Sequence, residues 1–220
     1  MLTQAEENYL KTIFKITERD RKTASTNDIA DILKTSAASV TDMLKKLSNK
    51  DLVSYEKYKG VSLSPQGNKY ATDLVRKHRL WESFLVDKLG FSWEEVHDIA
   101  EQMEHIKSVA LIDRLDRYLG FPKFDPHGDP IPNSEGKFTI RNQYILDVLD
   151  EGEVGVLVGV RNNAHDFLEY LNDLNIALGT EFKVLQKIKF DKSIKVETSN
   201  GDVLVFPKRV SAQLFVKKVK

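Results

Sequence analysis

The chain has 220 residues, 30% of them charged and 41% apolar. That is an ordinary globular balance, with length for one large domain or two or three small ones. It has no cysteine, which excludes disulfides, thiolate zinc sites and iron–sulfur clusters. The 33 basic and 33 acidic residues cancel overall, but they are unevenly spread: residues 1–70 hold 12 Lys+Arg against 9 Asp+Glu (+3), residues 71–140 hold 9 against 13 (−4), and residues 141–220 hold 12 against 11 (+1). A neutral total therefore does not exclude a nucleic-acid partner for the front of the chain. No apolar run approaches a membrane span, and the first residues, MLTQAEENYLKTIFKI, are charged and amphipathic rather than a signal peptide. The expectation is a cytoplasmic protein with no membrane partner.

Residues 5–18 put Tyr9, Leu10, Ile13, Phe14 and Ile16 on one helical face. In STNDIADIL, Ser25 or Thr26 can cap a helix with Asp28 in its first turn. KTSAASVTDMLKKLSNKDLV reads as a short turn and a second helix over about residues 37–49, with Val40, Met43, Leu44 and Leu47 on one face. VSYEKYKGVSLSPQG then alternates around Lys59-Gly60, as a hairpin does. Two short helices, a tight turn and a hairpin make the pattern of a winged helix-turn-helix. On that reading Thr26 and the small or hydroxylated Ser36, Ala37, Ala38, Ser39 and Thr41, with Asp42, face the DNA major groove. Lys45, Lys46, Lys50, Lys57 and Lys59 supply phosphate contacts. A plain helical hairpin with solvated lysines has the same pattern.

Residues 66–89 read as a long helix with His78 and Glu82 one turn apart. SWEEVHDIAEQMEHI reads as the next helix, with Ser92 and Glu95 as a capping box, and residues 111–119 as another. GFPKFDPHGDPIPNSEG is too rich in Pro and Gly for a helix and marks a boundary. Beyond it EGEVGVLVGV, EFKVLQKI, SIKVET and DVLVFP are strand-like around a short helix, AHDFLEYLNDL. The expected fold is mainly α with a C-terminal β barrel: a winged helix over 1–70, a helical dimerisation domain over 71–140, and a small SH3-like barrel over 150–220. Trp81 and Trp93 are expected in a core or dimer interface rather than stacking on bases. Spare apolar faces over residues 85–120 predict a homodimer whose two recognition helices read a palindromic operator in double-stranded DNA.

Glu101, Glu104 and His105 stand at i, i+3, i+4, with His97 one turn before Glu101. On a helix they share a face. Two carboxylates and an imidazole there, with His78 and Glu82 on a neighbouring helix, form a candidate divalent-metal site. A solvated acidic face with one satisfied histidine is the alternative. Oxygen-rich ligands without sulfur favour Mn2+ or Fe2+, while affinity order admits Zn2+, Co2+ or Ni2+ in vitro.

Taken together, ENYLKTI, DIADILKTSAASVTDMLKKL, YEKYKGVSLSPQG, RKHRLWE, HDIAEQMEH and HGDPIP stand in the order found in the diphtheria-toxin-repressor and manganese-transport-regulator family, which the chain resembles through nearly its whole length. The C-terminal part resembles the FeoA/SH3-like domain of the longer members. The resemblance implies a metal-dependent transcriptional repressor of metal-uptake genes, with Mn2+, or alternatively Fe2+, as co-repressor. It implies Glu101, Glu104, His105 and Asn8 as central metal ligands, with Glu101 in a place where the iron branch has cysteine and the manganese branch glutamate. Asn8 departs from the usual Asp or Met. Lys11 departs further, standing where short manganese regulators carry a second carboxylate. A second site is implied either by His78, Glu82 and His97 or by Glu82, Asp125 and His127, with Asp166 reaching over from the C-terminal domain. The ion would neutralise Glu101 and Glu104 and draw Asn8 toward them. A winged-helix regulator answering to another signal, independent of metal, is the rival reading. No nucleophile motif or phosphate loop supports an enzyme.

Overall fold

The computed structural model describes residues 2–20, 23–56 and 59–219. The chain forms two compact units. One comprises residues 1–78, 101–112 and 132–138, the other residues 79–100, 113–131 and 139–220.

In the first unit, α1 (Gln4–Asp20), α2 (Thr26–Ile32) and α3 (Ala37–Ser48) are followed by a hairpin of β1 (Val53–Glu56) and β2 (Gly60–Leu63). Ser25 caps α2, its hydroxyl accepting from Asp28 N, and Ser36 caps α3, accepting from Ser39 N. The amphipathic faces meet in one core: Leu10, Ile13 and Ile16 of α1, Ile29 of α2, Val40, Leu44 and Leu47 of α3, and Val53 and Val61 of the hairpin. The wing pairs Val53 with Leu63 through Glu56 with Gly60 and is tied back by a bridge between Ala24 and Val61. Gly60 sits at φ +94, and a Cβ there would come within 2.7 Å of Thr23 Oγ1, so the turn requires glycine.

On this framework Ser36, Ala37, Ala38, Ser39, Asp42 and Lys45 are exposed along the front of α3, and Thr26 and Thr41 are half-buried. Lys45 pairs with Asp42 at 3.3 Å. Lys46 and Lys50 both reach Glu6 Oε1, at 3.0 and 2.7 Å. Lys59 occupies the wing turn, where its carbonyl accepts from Thr23 Oγ1. Lys57 lies outside the described residues. Glu6 was not anticipated from sequence. Burial alone would raise its pKa, but the Lys50 hydrogen bond, the Thr3 amide and Lys46 outweigh that and hold it down to about 2. Two of the lysines expected on DNA thus tie α3 to α1.

Helix α4 (Pro65–Leu89) contributes to both units, as do α5 (Val96–Met103) and α6 (Val109–Tyr118). The Ser92–Glu95 contact expected of a capping box is present, with Glu95 Oε2 accepting from both the amide and the hydroxyl of Ser92, but residues 93–95 form a turn and the helix starts at Val96. The Pro- and Gly-rich stretch after α6 is irregular, as its composition requires.

In the second unit, β3 (Tyr144–Ile145), β4 (Val154–Val160), β5 (Glu181–Lys187), β6 (Ile194–Thr198), β7 (Val203–Phe206) and β8 (Leu214–Lys218) form a six-stranded antiparallel sheet in the order β3-β8-β4-β5-β6-β7. Helices α7 (His165–Asp173) and α8 (Lys208–Ser211) complete it. The expected closed barrel is not formed. Among the described residues β3 and β7 are unpaired edges, and β3, only two residues long, offers too little backbone to close the ring. Phe182, Val184, Val196, Leu214 and Val216 of the sheet, with Leu168 and Leu171 of α7, form the core, and Trp93 packs into it. Trp81 is also buried, edge-on to Phe84. Both tryptophans are core residues.

Leu47 is fully buried in the first core. Leu47→Ala is expected to destabilise the chain by about 2–5 kcal/mol, measured by urea unfolding followed by far-UV circular dichroism.

Candidate metal centres

The first centre lies in the first unit, where α1 meets the end of α5. Helix α5 stops at Met103, so Glu101 is helical while Glu104 and His105 occupy the turn that follows. The helix thus ends inside the stripe, with the Glu101 side chain 47% exposed and that of Glu104 fully buried, yet Lys11 Nζ reaches both carboxylates and His105 Nε2 lies 3.9 Å from Glu104 Oε1. His105 Nδ1 lies 2.6 Å from Glu7 Oε2, a partner the sequence reading missed although Glu7 precedes Asn8 on the same helix.

A cation is already present. Lys11 is buried, and its Nζ donates to Glu104 Oε2 at 2.5 Å and lies 3.7 Å from Glu101 Oε1. His78 Nδ1 is 2.6 Å from the same Glu104 oxygen and 3.3 Å from Lys11 Nζ. With Nδ1–H donating to Glu104, the Lys11 protons are left for the carboxylates. Burial alone would raise the Glu104 pKa, but the His78 hydrogen bond and the Lys11 charge outweigh it and hold this carboxyl below the usual range. Two unit charges 4 Å apart interact by about 4 kcal/mol at an effective dielectric constant of about 20, and a divalent ion doubles that repulsion with an ammonium. The residues here do not fit a divalent ion alongside Lys11. Asn8 Oδ1 and Glu104 Oε1 remain buried without hydrogen-bond partners.

The second centre lies wholly in the second unit and brings together Glu82 of α4 with Asp125 and His127 of the loop after α6. One ligand atom from each lies within 4.8 Å of the others, and all three residues are buried. His127 Nδ1 is 3.6 Å from Glu82 Oε2 and 4.0 Å from Asp125 Oδ1, and it has no hydrogen-bond partner. The other ring nitrogen, Nε2, donates to the Trp93 carbonyl at 2.8 Å, with the two rings stacked 6.2 Å apart. An imidazole whose N–H is fixed on a carbonyl and whose second nitrogen faces two carboxylates is oriented as a metal ligand is. These residues fit a hard divalent ion.

The loop is built to hold that geometry. Asp125 Oδ1 accepts from the amides of His127 and Asp129, both at 2.9 Å. Arg79 approaches Asp125 and Asp129 at 3.5 and 3.4 Å and donates to Pro130 O. Gly128 has φ +85, and a Cβ there would meet Val158 O at 2.2 Å, so the loop lies on β4 at a distance only glycine permits. Arg141 spans the same seam, donating to Gly128 O and Val158 O. Burial, then the charges of Asp129 and Glu82, push the Asp125 pKa up to about 7. Burial opposes a charged His127, but the Glu82 carboxylate beside it, then Asp125, raise its pKa to about 9.

Of the other expected ligands, His97 Nδ1 is 3.4 Å from Glu82 Oε1, at the rim of this centre. His78 is engaged by Glu104 in the first unit. Asp166 is exposed in the first turn of α7, its Oδ1 accepting from Phe167 N; it lies beside Asn162, Tyr170 and Arg209 and is not among the three clustered residues.

A winged helix, followed in sequence by helices that carry buried carboxylate–imidazole clusters and then by a small antiparallel sheet, defines the class as a winged-helix protein with an appended sheet domain. Three family models match in that order: the iron dependent repressor N-terminal DNA binding domain over residues 1–61, the iron dependent repressor metal binding and dimerisation domain over 64–133, and the FeoA domain over 145–218. The HTH-type transcriptional regulator MntR of Bacillus pumilus is 36% identical over 121 residues, 55% of this chain and 83% of that protein. The diphtheria toxin repressor of Corynebacterium jeikeium is 34% identical over 131 residues, 60% of this chain and 54% of that protein, so the match spans about half the length of that relative. A solved manganese-dependent transcriptional repressor in complex with manganese superposes with a TM-score of 0.88 at 32% identity, covering 97% of this chain and 99% of that one. The chain belongs to the iron-dependent-repressor family that includes the diphtheria toxin repressor and MntR. That family is one of DNA-binding transcriptional repressors and not of enzymes.

The second centre makes a signed prediction about pH. A divalent ion must displace the protons held by Asp125 below about 7 and by His127 below about 9. Mn2+ affinity is expected to rise with pH, by about tenfold per unit between the two values and by up to about 100-fold per unit below the lower one. Calorimetric titrations at several pH values, in buffers of different ionisation enthalpy, measure both the slope and the protons released.

Proposed function

We propose that this protein is a metal-dependent DNA-binding repressor whose co-repressor, Mn2+ or alternatively Fe2+, is held by Glu82, Asp125 and His127 with His97 at the rim. The observation that carries this is His127 Nδ1, a buried and unpartnered nitrogen facing two buried carboxylates. When bound, the ion supplies positive charge that satisfies Glu82 and Asp125 together. The protein residues orient the set: Trp93 fixes the tautomer of His127, and Arg79 and the Asp129 amide fix Asp125.

On the DNA side, the exposed small residues of α3 give close approach to base edges, with hydroxyls of Ser36 and Ser39 for phosphates or bases and Lys45 and Lys59 for phosphates. Val109, Leu111, Tyr118 and Phe121, in and just after α6, are exposed apolar residues suited to a homodimer seam. A two-fold dimer would read a palindromic operator in metal-uptake promoters. Metal and DNA then favour the same state, each raising affinity for the other by an equal factor.

The test is fluorescence anisotropy on a duplex selected by the protein in Mn2+ from random-sequence DNA. Chelator is expected to weaken binding by about tenfold or more, and His127→Ala to bind as chelated wild type does in the presence of Mn2+. Equal affinity with and without chelator would instead favour the metal-independent regulator.

A further inference from the structure

Lys11 projects from α1 into the group that the sequence marks for a metal ion. Its ammonium touches Glu104 Oε2 at 2.5 Å, with His78 Nδ1 at 3.3 Å and Glu101 Oε1 at 3.7 Å. Lys11 is 3% exposed and Glu104 not at all. Resting on the family reading above, we infer that Lys11 is a tethered cation taking the place of a divalent ion at this centre. It holds α1 to the turn after α5 without metal and leaves Glu82, Asp125 and His127 as the metal-responsive set.

The chemistry of the surrounding groups agrees. An ammonium needs acceptors within hydrogen-bond reach; Glu104 supplies one at 2.5 Å, and Glu101 adds its charge at 3.7 Å. Glu7 takes His105 Nδ1 at 2.6 Å, which leaves only Nε2 of that ring toward the cluster, 3.9 Å from Glu104 Oε1. Asn8 carries no charge where a third anion would be needed, beside Glu101 and Glu104, to balance a divalent ion together with an ammonium. A free ion dissociates and can be chelated, whereas an ammonium on the same chain is present at an effective concentration that neither dilution nor chelator lowers. The contrary feature is the pair of buried oxygens, Asn8 Oδ1 and Glu104 Oε1, that lack partners. They are where an additional cation would have to sit.

The experiment is Mn2+ binding to the full chain, read by the free-ion paramagnetic resonance signal and by calorimetry. Wild type is expected to bind one equivalent per chain. That equivalent should persist in Glu104→Ala and vanish in His127→Ala. Lys11→Glu should gain a further equivalent, lost again in Lys11→Glu/Glu104→Ala. A wild-type equivalent that disappears in Glu104→Ala, or no gain in a folded Lys11→Glu, overturns the inference. Binding unaffected by His127→Ala instead overturns the proposed co-repressor site, so the two failures are distinguishable. A metal-free arm needs no ion: in chelator, the thermal midpoint of Lys11→Met/Glu104→Gln should fall no further than that of the worse single variant. Additive losses would show that the two side chains do not act as a pair.

Discussion

Glu104 is a carboxylate with no access to water, and the first unit is organised around neutralising it. An isolated buried charge is not tolerated; it is met by an opposite charge or by hydrogen bonds, or it gives up its ionisation. Here Lys11 arrives from α1 and His78 from α4, so one oxygen of one side chain draws three separate segments together. The same logic recurs at Glu6, which is fully buried and satisfied by Lys46 and Lys50 and so ties α3 to α1. Removing either partner of such a pair is far more disruptive than never having buried the pair, because the survivor keeps its desolvation cost.

The second centre answers the same constraint differently. Glu82, Asp125 and His127 form a cluster with two acidic groups and one imidazole, and Arg79 satisfies Asp125 from outside. Its protons are held at about 7 and 9. In the metal-free protein, protons therefore do the work of a cation, and they are exchangeable. One centre carries a covalently fixed charge, the other a replaceable one. On the proposed function, that difference separates a structural tie from a sensor.

Much of the first unit was legible because its signals are local. Caps at Ser25 and Ser36, the 3.6-residue apolar spacing of α3 and the glycine at the wing turn each act within a few residues. Other features of the chain were not. The end of α5 at Met103 falls inside the Glu101, Glu104, His105 stripe, because periodicity continues through a sequence after the hydrogen bonding has stopped. Lys11 was legible as a departure but not as a ligand of Glu104, which lies 93 residues away. Strand β8 was missed although it lies between β3 and β4, since LFVKK offers too short an apolar run to stand out. The closed barrel was expected from strand count, but closure depends on edge lengths that local pattern does not encode. For the second centre, sequence supplied all three residues through the family resemblance. It gave no hint that the Trp93 carbonyl sets the histidine's tautomer.

That carbonyl belongs to a residue whose ring does something else as well. The indole of Trp93 lies nearly parallel to the His127 imidazole, its Nε1–H donating to Asn172 on α7 while the ring packs into the core of the C-terminal sheet. Any change in charge on that imidazole is therefore presented to the excited state of a rigidly held chromophore. The protein carries its own optical gauge of the second centre. Since the sheet grips the indole, the gauge also reads whether the sheet domain remains seated.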